Sequence, residues 1–181
     1  MSFTKINHLN DSPVSSQAFK VVVMGVSGCG KSTLAAAIAA HLSGVFIEGD
    51  DHHARSSVEK MKKGIPLDDS DRQPWLAHLR RLLAADSRPT VLTCSALKKS
   101  YRTTLRSSVP GLRFVFLELS IQEATRRVGL RPGHLFPAAL VASQFDALEP
   151  PVSETGVLTV EATMPLTEQL NAVLSWLHLS V

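Results

Sequence analysis

The chain has 181 residues, 44% of them hydrophobic and 19% charged, with a formal net charge of +3. That balance fits one soluble globular domain with a real core, and no apolar run approaches the roughly 20 residues of a membrane span. The basic residues are scattered rather than gathered into a stripe, which argues against a nucleic-acid partner. Two cysteines, Cys29 and Cys94, without a C-x-x-C pair leave a disulfide framework or zinc site unsupported and point to a reducing cytoplasm.

Residues 1–17 are polar and turn-rich, with Asn7, Asn10, Asp11 and Pro13, and read as a loose arm before a single domain over 18–181. They lack the basic start and apolar centre of a signal peptide. The apolar run Val21–Met24 then predicts a first strand. It leads directly into Gly25-Val26-Ser27-Gly28-Cys29-Gly30-Lys31-Ser32, a complete G-x-x-x-x-G-K-[ST] phosphate loop. Thr33 opens an Ala-rich helical pattern behind it. Strand, glycine loop and helix are the context this motif requires. Backbone N–H groups and the helix N-terminus would cradle ATP phosphates, Lys31 would reach the β- and γ-phosphates, and the Ser32 hydroxyl would sit on Mg²⁺. Cys29 reads as filler at a variable position rather than as a redox switch.

Val45-Phe46-Ile47 predicts a second strand, ending in Glu48-Gly49-Asp50-Asp51. Acids at a strand's carboxyl end beside a phosphate loop are placed to handle metal and proton. Asp50 is the candidate base or hydroxyl-orienting group, and Glu48 the candidate for a Mg²⁺-bound water. His52 and His53 point in opposite directions on extended chain, so a substrate hydrogen bond from one of them is favoured over a shared metal.

Asp71 to Ala85 carries Trp75, Leu76, Leu79, Leu82 and Leu83 on one helical stripe. Val91–Cys94 predicts a third strand, running into Ser95, Lys98, Lys99 and Arg102. These residues either face substrate or lie on an exposed helix. Phe114–Leu117 predicts a fourth strand. Ser120-Ile121-Gln122-Glu123 reads as a capping box for a helix carrying Arg126 and Arg127. Arg127 and Arg131, four apart among glycines and a proline, suggest a lid over about 127–137 that neutralises phosphoryl charge and excludes water. Val157–Val160 predicts a fifth strand. Thr163-Met164-Pro165 starts a last helix with proline in its first turn. Each strand run is short and continuous, as expected for strands covered on both faces. Alternating βα units imply an α/β fold, a parallel sheet with helices on both faces.

Taken together, these blocks resemble the gluconate kinases (gluconokinases) of the thermoresistant bacterial type, from Phe19 to the final helix. The resemblance rests on Glu48-Gly49-Asp50 with His53, Glu59-Lys60-Met61, Gly64-Ile65-Pro66-Leu67-Asp68-Asp69 and Asp71-Arg72-Gln73-Pro74-Trp75-Leu76. It extends through Cys94-Ser95-Ala96-Leu97-Lys98, Tyr101-Arg102, Gly133-His134 and Ser143-Gln144-Phe145, leading to Leu148-Glu149-Pro150. It implies ATP-dependent phosphorylation of D-gluconate at the 6-hydroxyl, giving 6-phosphogluconate. It implies the three-layer P-loop kinase fold of the nucleoside-monophosphate-kinase group, five strands in the order 2-3-1-4-5, a lid, and a homodimer. Gly25 through Ser32 carry over as the ATP loop, Asp50 as the acid near the acceptor hydroxyl, Arg127 and Arg131 as lid arginines, and His134 as the lid histidine. Gluconate has one carboxylate and five hydroxyls, and His53, Arg72, Lys98 and Arg102 are the candidates to bind them. The sequence departs from the family at Glu48 for aspartate, His52 for an apolar or aromatic residue, Ala54 for proline and Ser57 for asparagine.

Two other readings differ in acceptor or in class. The fold is compatible with shikimate, another sugar acid or a nucleoside monophosphate as acceptor. The Cys94–Lys98 strand end argues against shikimate kinase, whose corresponding stretch is glycine-rich. A nucleotide-dependent switch would need a signature such as N-K-x-D, which is absent.

Overall fold

The computed structural model describes residues 19–130 and 140–179. Strand and helix alternate along them: β1 (Lys20–Met24), α1 (Lys31–His41), β2 (Val45–Ile47), a 3₁₀ turn (Gly49–His52), α2 (Arg55–Lys62), α3 (Asp69–Ala85) and β3 (Thr90–Thr93) come first. Then follow α4 (Lys99–Arg106), β4 (Arg113–Glu118), α5 (Ile121–Gly129), α6 (Val141–Ala147), β5 (Val157–Glu161) and α7 (Leu166–Trp176). All strand pairs are parallel, and the order is β2-β3-β1-β4-β5. This is the order that the family resemblance implies. Among the described residues no helix is long and apolar enough to cross a membrane.

The apolar run of β1 works as a two-faced strand. Val21 and Val23 pack with Leu34 and Ile38 of α1 and Val173 of α7. Val22 and Met24 pack on the opposite face with Leu76, Leu79 and Leu83 of α3 and Leu105 of α4. These four side chains are fully buried, each worth about 1.5–3 kcal/mol relative to exposure. Coverage on both faces does not extend to the edges. On β2, Phe46 is 39% exposed, and β5 is only partly buried. An edge strand has one neighbour, and the flanking helices cover the middle of the sheet first.

Helix starts differ from the sequence reading for local reasons. Helix α3 begins two residues before Asp71, because Asp68 and Asp71 form a reciprocal capping box. The Asp68 carboxylate accepts from Asp71 N at 2.9 Å, and the Asp71 carboxylate from Asp68 N at 3.1 Å. Aspartate at the N3 position replaces the Glu or Gln that defines the usual signature. At α5 only half of the expected box forms. Ser120 Oγ accepts from Glu123 N at 3.3 Å, but the Glu123 carboxylate turns to Arg126 and Arg127. Pro165 is the N-cap of α7 rather than part of its first turn.

This topology sets β1 centrally, so its phosphate loop emerges at the carboxyl edge between the ends of β3 and β4. The ends of β2 and β3 bring Glu48–Asp50 and Cys94–Lys98 to the same edge, where open α/β sheets bind ligands.

Candidate active site

The phosphate loop is built around its first glycine. Gly25 has φ 138°, and a Cβ there would sit 2.7 Å from the Leu117 carbonyl oxygen and 2.9 Å from Cys29 Sγ. Val26 and Cys29 are buried beneath the loop. Gly30 is the N-cap of α1 and brings no capping side chain, which leaves the first-turn amides to an anion. Burial raises both thiols, pushing Cys94 up to about 12, so neither cysteine has thiolate chemistry to offer.

Two compartments flank the loop. The first lies between Ser27, Gly28, Gly30, Lys31, Ser32, Thr33, Glu48 and Asp50. The second is lined by Ser27, Lys31, Asp50, His53, Met61, Leu67, Arg72, Ser95 and Gln144. They share Ser27, Lys31 and Asp50. One cation and one carboxylate therefore stand where an anion held in the first compartment would meet a molecule held in the second. Lys31 Nζ donates to the Val26 carbonyl at 3.0 Å, folded over its own loop.

Asp50 owes its position to Gly49. The Gly49 N–H donates to Thr93 Oγ1 at 2.9 Å, and its carbonyl accepts from Trp75 Nε1 at 2.9 Å. A Cβ on Gly49 would overlap the Thr93 backbone carbonyl. Gly49→Ala is expected to displace the turn and lower kcat by about a hundredfold, since a shift of about 1 Å at a reacting group costs that much. Steady-state kinetics on protein of native circular dichroism would check this. Thr93 Oγ1 also donates to the Glu48 carboxylate, fixing it in the first compartment beside Ser32.

The two histidines diverge. His52 turns to α3, its Nδ1 3.3 Å from His78 Nε2. His53 stacks on Trp75, with centroids 4.1 Å apart and planes at 16°. Its side chain is 6% exposed, and its Nε2 lies 3.9 Å from Asp50 Oδ1. Its Nδ1 is buried and has no hydrogen-bond partner among the described residues. Burial lowers the imidazole below its ordinary 6.5; Asp50 opposes this and Arg72 adds to it. The ring is thus neutral near pH 7, with one nitrogen to donate and one to accept.

Arg72 lines the second compartment and also an outer groove with Asp69, Lys98 and Tyr101. Lys98 does not enter the second compartment. Its Nζ donates to Asp69 Oδ1 at 2.7 Å, and Tyr101 Oη donates to the same oxygen. Those bonds lower the Asp69 carboxyl and raise the Lys98 ammonium, so the pair stays charged.

Two of the arginines that the sequence suggests for the site line neither compartment. Arg102 is 1% exposed, paired with Glu154 and bonded to backbone carbonyls, and it lines no compartment. A guanidinium needs a partner wherever it is buried, and Glu154, distant in sequence, supplies it. Arg127 packs against the phosphate loop, its Cβ 3.4 Å from where a Cβ on Gly28 would lie, but its guanidinium donates to Glu123 at 2.7 Å and to the Ala162 carbonyl at 3.2 and 3.3 Å and lines neither compartment. Arg131, His134 and the proposed lid beyond Leu130 lie outside the described residues.

Gln144 has no role in the sequence reading beyond its place in the resemblance. It is buried in α6, and its Oε1 accepts from Ser27 N at 2.6 Å across 117 residues. Nothing local in the sequence marks that contact. Among the described residues no cluster of three His, Cys, Asp or Glu could hold a metal ion. The donor set of Ser32, Glu48 and Asp50 fits a hard cation bound mainly through phosphate oxygens, which is how Mg²⁺ is usually held at such sites.

Comparison with known proteins agrees with this geometry. Residues 21–151 match the family model described as AAA domain. The chain is 42% identical over 149 residues to the thermoresistant gluconokinase of Escherichia coli (strain K12), covering 80% of this chain and 85% of that protein. It is 46% identical over 144 residues to the gluconokinase of Gluconobacter oxydans (strain 621H), covering 77% and 80%. The crystal structure of a gluconokinase from Sinorhizobium meliloti 1021 superposes with a TM-score of 0.81 at 44% identity, over 90% of this chain and 93% of that one. By sequence, by fold and by the phosphate loop at its centre, this chain belongs to the gluconokinase family.

Proposed function

We propose that the protein transfers the γ-phosphoryl group of ATP to the 6-hydroxyl of D-gluconate, giving 6-phospho-D-gluconate and ADP. The observation that carries this reading is the pair of compartments meeting at Lys31 and Asp50. The names of the relatives support the acceptor. In this reading the first compartment takes the ATP phosphates on the amides of Gly25–Thr33. Ser32 and Glu48 would hold Mg²⁺, which when bound supplies charge neutralisation at the phosphate oxygens.

The second compartment takes the sugar acid. Among the described residues Arg72 is the candidate cation for the carboxylate, because Lys98 is paired to Asp69 and Arg102 is buried elsewhere. The unpartnered His53 Nδ1 and Ser95 offer hydrogen bonds to hydroxyls. Met61 and Leu67 form an apolar wall that excludes water from the reacting end. Asp50 accepts the proton of the attacking hydroxyl as the O–P bond forms, and Lys31 neutralises charge on the phosphoryl group in transit. We take the chain from residue 18 onward to be one kinase domain, working as a cytoplasmic homodimer, as the resemblance implies.

An acceptor panel tests the assignment. ADP release coupled to NADH oxidation is expected to be fastest with gluconate, and at least about a hundredfold slower in kcat/KM with shikimate or AMP, which would leave Arg72 and the hydroxyl-reading groups unsatisfied. Activity on gluconate no better than on those acceptors would overturn it.

A further inference from the structure

The turn that follows β3 is held in a conformation its sequence does not favour. Ala96 has φ 43° and is fully buried. Left-handed backbone is costly for a residue with a Cβ, and such geometry persists only where the surroundings impose it. Here the surroundings are Arg102 and the segment after α6. Arg102 Nη1 donates to the Ala96 and Leu97 carbonyls, at 3.0 Å each. Its Nε and Nη2 grip Glu154 Oε2 at 2.9 and 2.8 Å. Glu154 is steadied in turn by Arg106, whose Nη2 donates to the Thr155 carbonyl at 3.1 Å. Glu149 closes the other side: its N–H donates to the Leu97 carbonyl at 3.0 Å, and its carboxylate accepts from Lys99 N at 2.6 Å.

The turn leads straight to the site. The Ser95 carbonyl accepts from Gly25 N at 3.3 Å, tying the turn to the first glycine of the phosphate loop. Ser95 itself lines the second compartment. A buried ion pair contributes little net stability compared with an apolar replacement, so stability is a weak reason for an arginine in this core.

We propose that the buried Arg102–Glu154 pair is a positioning device for phosphoryl transfer, which holds the left-handed turn at Ala96 so that Ser95 stays in the acceptor wall and Gly25 stays in register. The pair touches neither substrate and acts through Ser95 and Gly25. The proposal rests on the kinase reading of the cleft.

The test uses Arg102→Lys and Glu154→Gln in the full chain. Lysine keeps a charge for Glu154 but lacks the fork that reaches Glu154 and two carbonyls at once. Glutamine keeps the shape and loses the charge. Each is assayed for kcat and KM at a temperature where circular dichroism shows it folded, then combined with Ala96→Gly. Glycine adopts the left-handed region freely, so it relieves the need for the clamp. The expected result is a fall of about ten- to a hundredfold in kcat/KM for gluconate in folded protein, partly recovered by Ala96→Gly while the melting temperature stays low. Folded variants with wild-type kcat/KM, or a loss that Ala96→Gly does not reduce, would overturn the proposal. If neither variant folds, the pair is a folding element and the proposal also falls. The variants are assayed with whichever acceptor the wild-type protein uses, so a failure of the gluconate assignment leaves this test standing.

Discussion

Asp50→Asn is expected to lower kcat by about 10²- to 10⁴-fold while leaving nucleotide binding near wild type. The substitution is nearly isosteric. It keeps a hydrogen-bonding group beside His53, whose Nε2 lies 3.9 Å from the Asp50 carboxylate. What it removes is the capacity to take a proton from the acceptor hydroxyl. Asp50 lines both compartments, so the loss falls where donor and acceptor would meet. Because the asparagine can still orient the hydroxyl, KM for gluconate should change little, the pattern of an interaction made only in the transition state. Rapid-mix kinetics with a fluorescent nucleotide would separate chemistry from binding. Near-normal turnover would remove Asp50 from the mechanism.

Lys31→Ala should cost about 10²- to 10³-fold in kcat and should also raise KM for ATP. Among the described residues its ammonium bonds only the Val26 carbonyl, at 3.0 Å, on the boundary of both compartments. It is thus free to follow charge as the phosphoryl group moves. Lys31→Arg is the informative control. It restores the charge but carries a planar fork in a space shaped around a point cation, and recovery should be incomplete. A Lys31→Ala protein with unchanged kcat and only a higher KM would mean that the lysine binds the ground state and the transition state equally.

The parts of the molecule that were legible in advance are those whose causes are local. Val21–Met24, a glycine loop and an Ala-rich helix are contiguous, and the contiguity itself is the signal. His52 and His53 do diverge as expected, one to His78 and one to Trp75, although His52 ends a 3₁₀ turn and only His53 is on the extended chain that the expectation assumed. The strand order came from resemblance, since periodicity says nothing of who neighbours whom. Arg102 was misjudged because its partner Glu154 lies 52 residues further on, and no local rule separates a buried guanidinium from one that faces a ligand. Gln144 carried no local signal for the same reason: its contact with Ser27 spans 117 residues. The capping box of α3 was missed on a narrower point, an aspartate where the pattern asks for glutamate. Long-range pairs of buried polar groups are the class of feature that a single sequence conceals. One of them, Ser27–Gln144, lies in the wall of the second compartment.

In the proposed reaction two substrates meet at Lys31 and Asp50, and the acceptor is the terminal hydroxyl of a sugar acid. Two-dimensional ¹H–³¹P correlation NMR of the product formed from ATP and gluconate tests it most directly. A phosphate monoester signal coupled to the two C6 protons of gluconate is the predicted result. Coupling to any other proton of the chain, or free phosphate appearing in step with ADP, would contradict it.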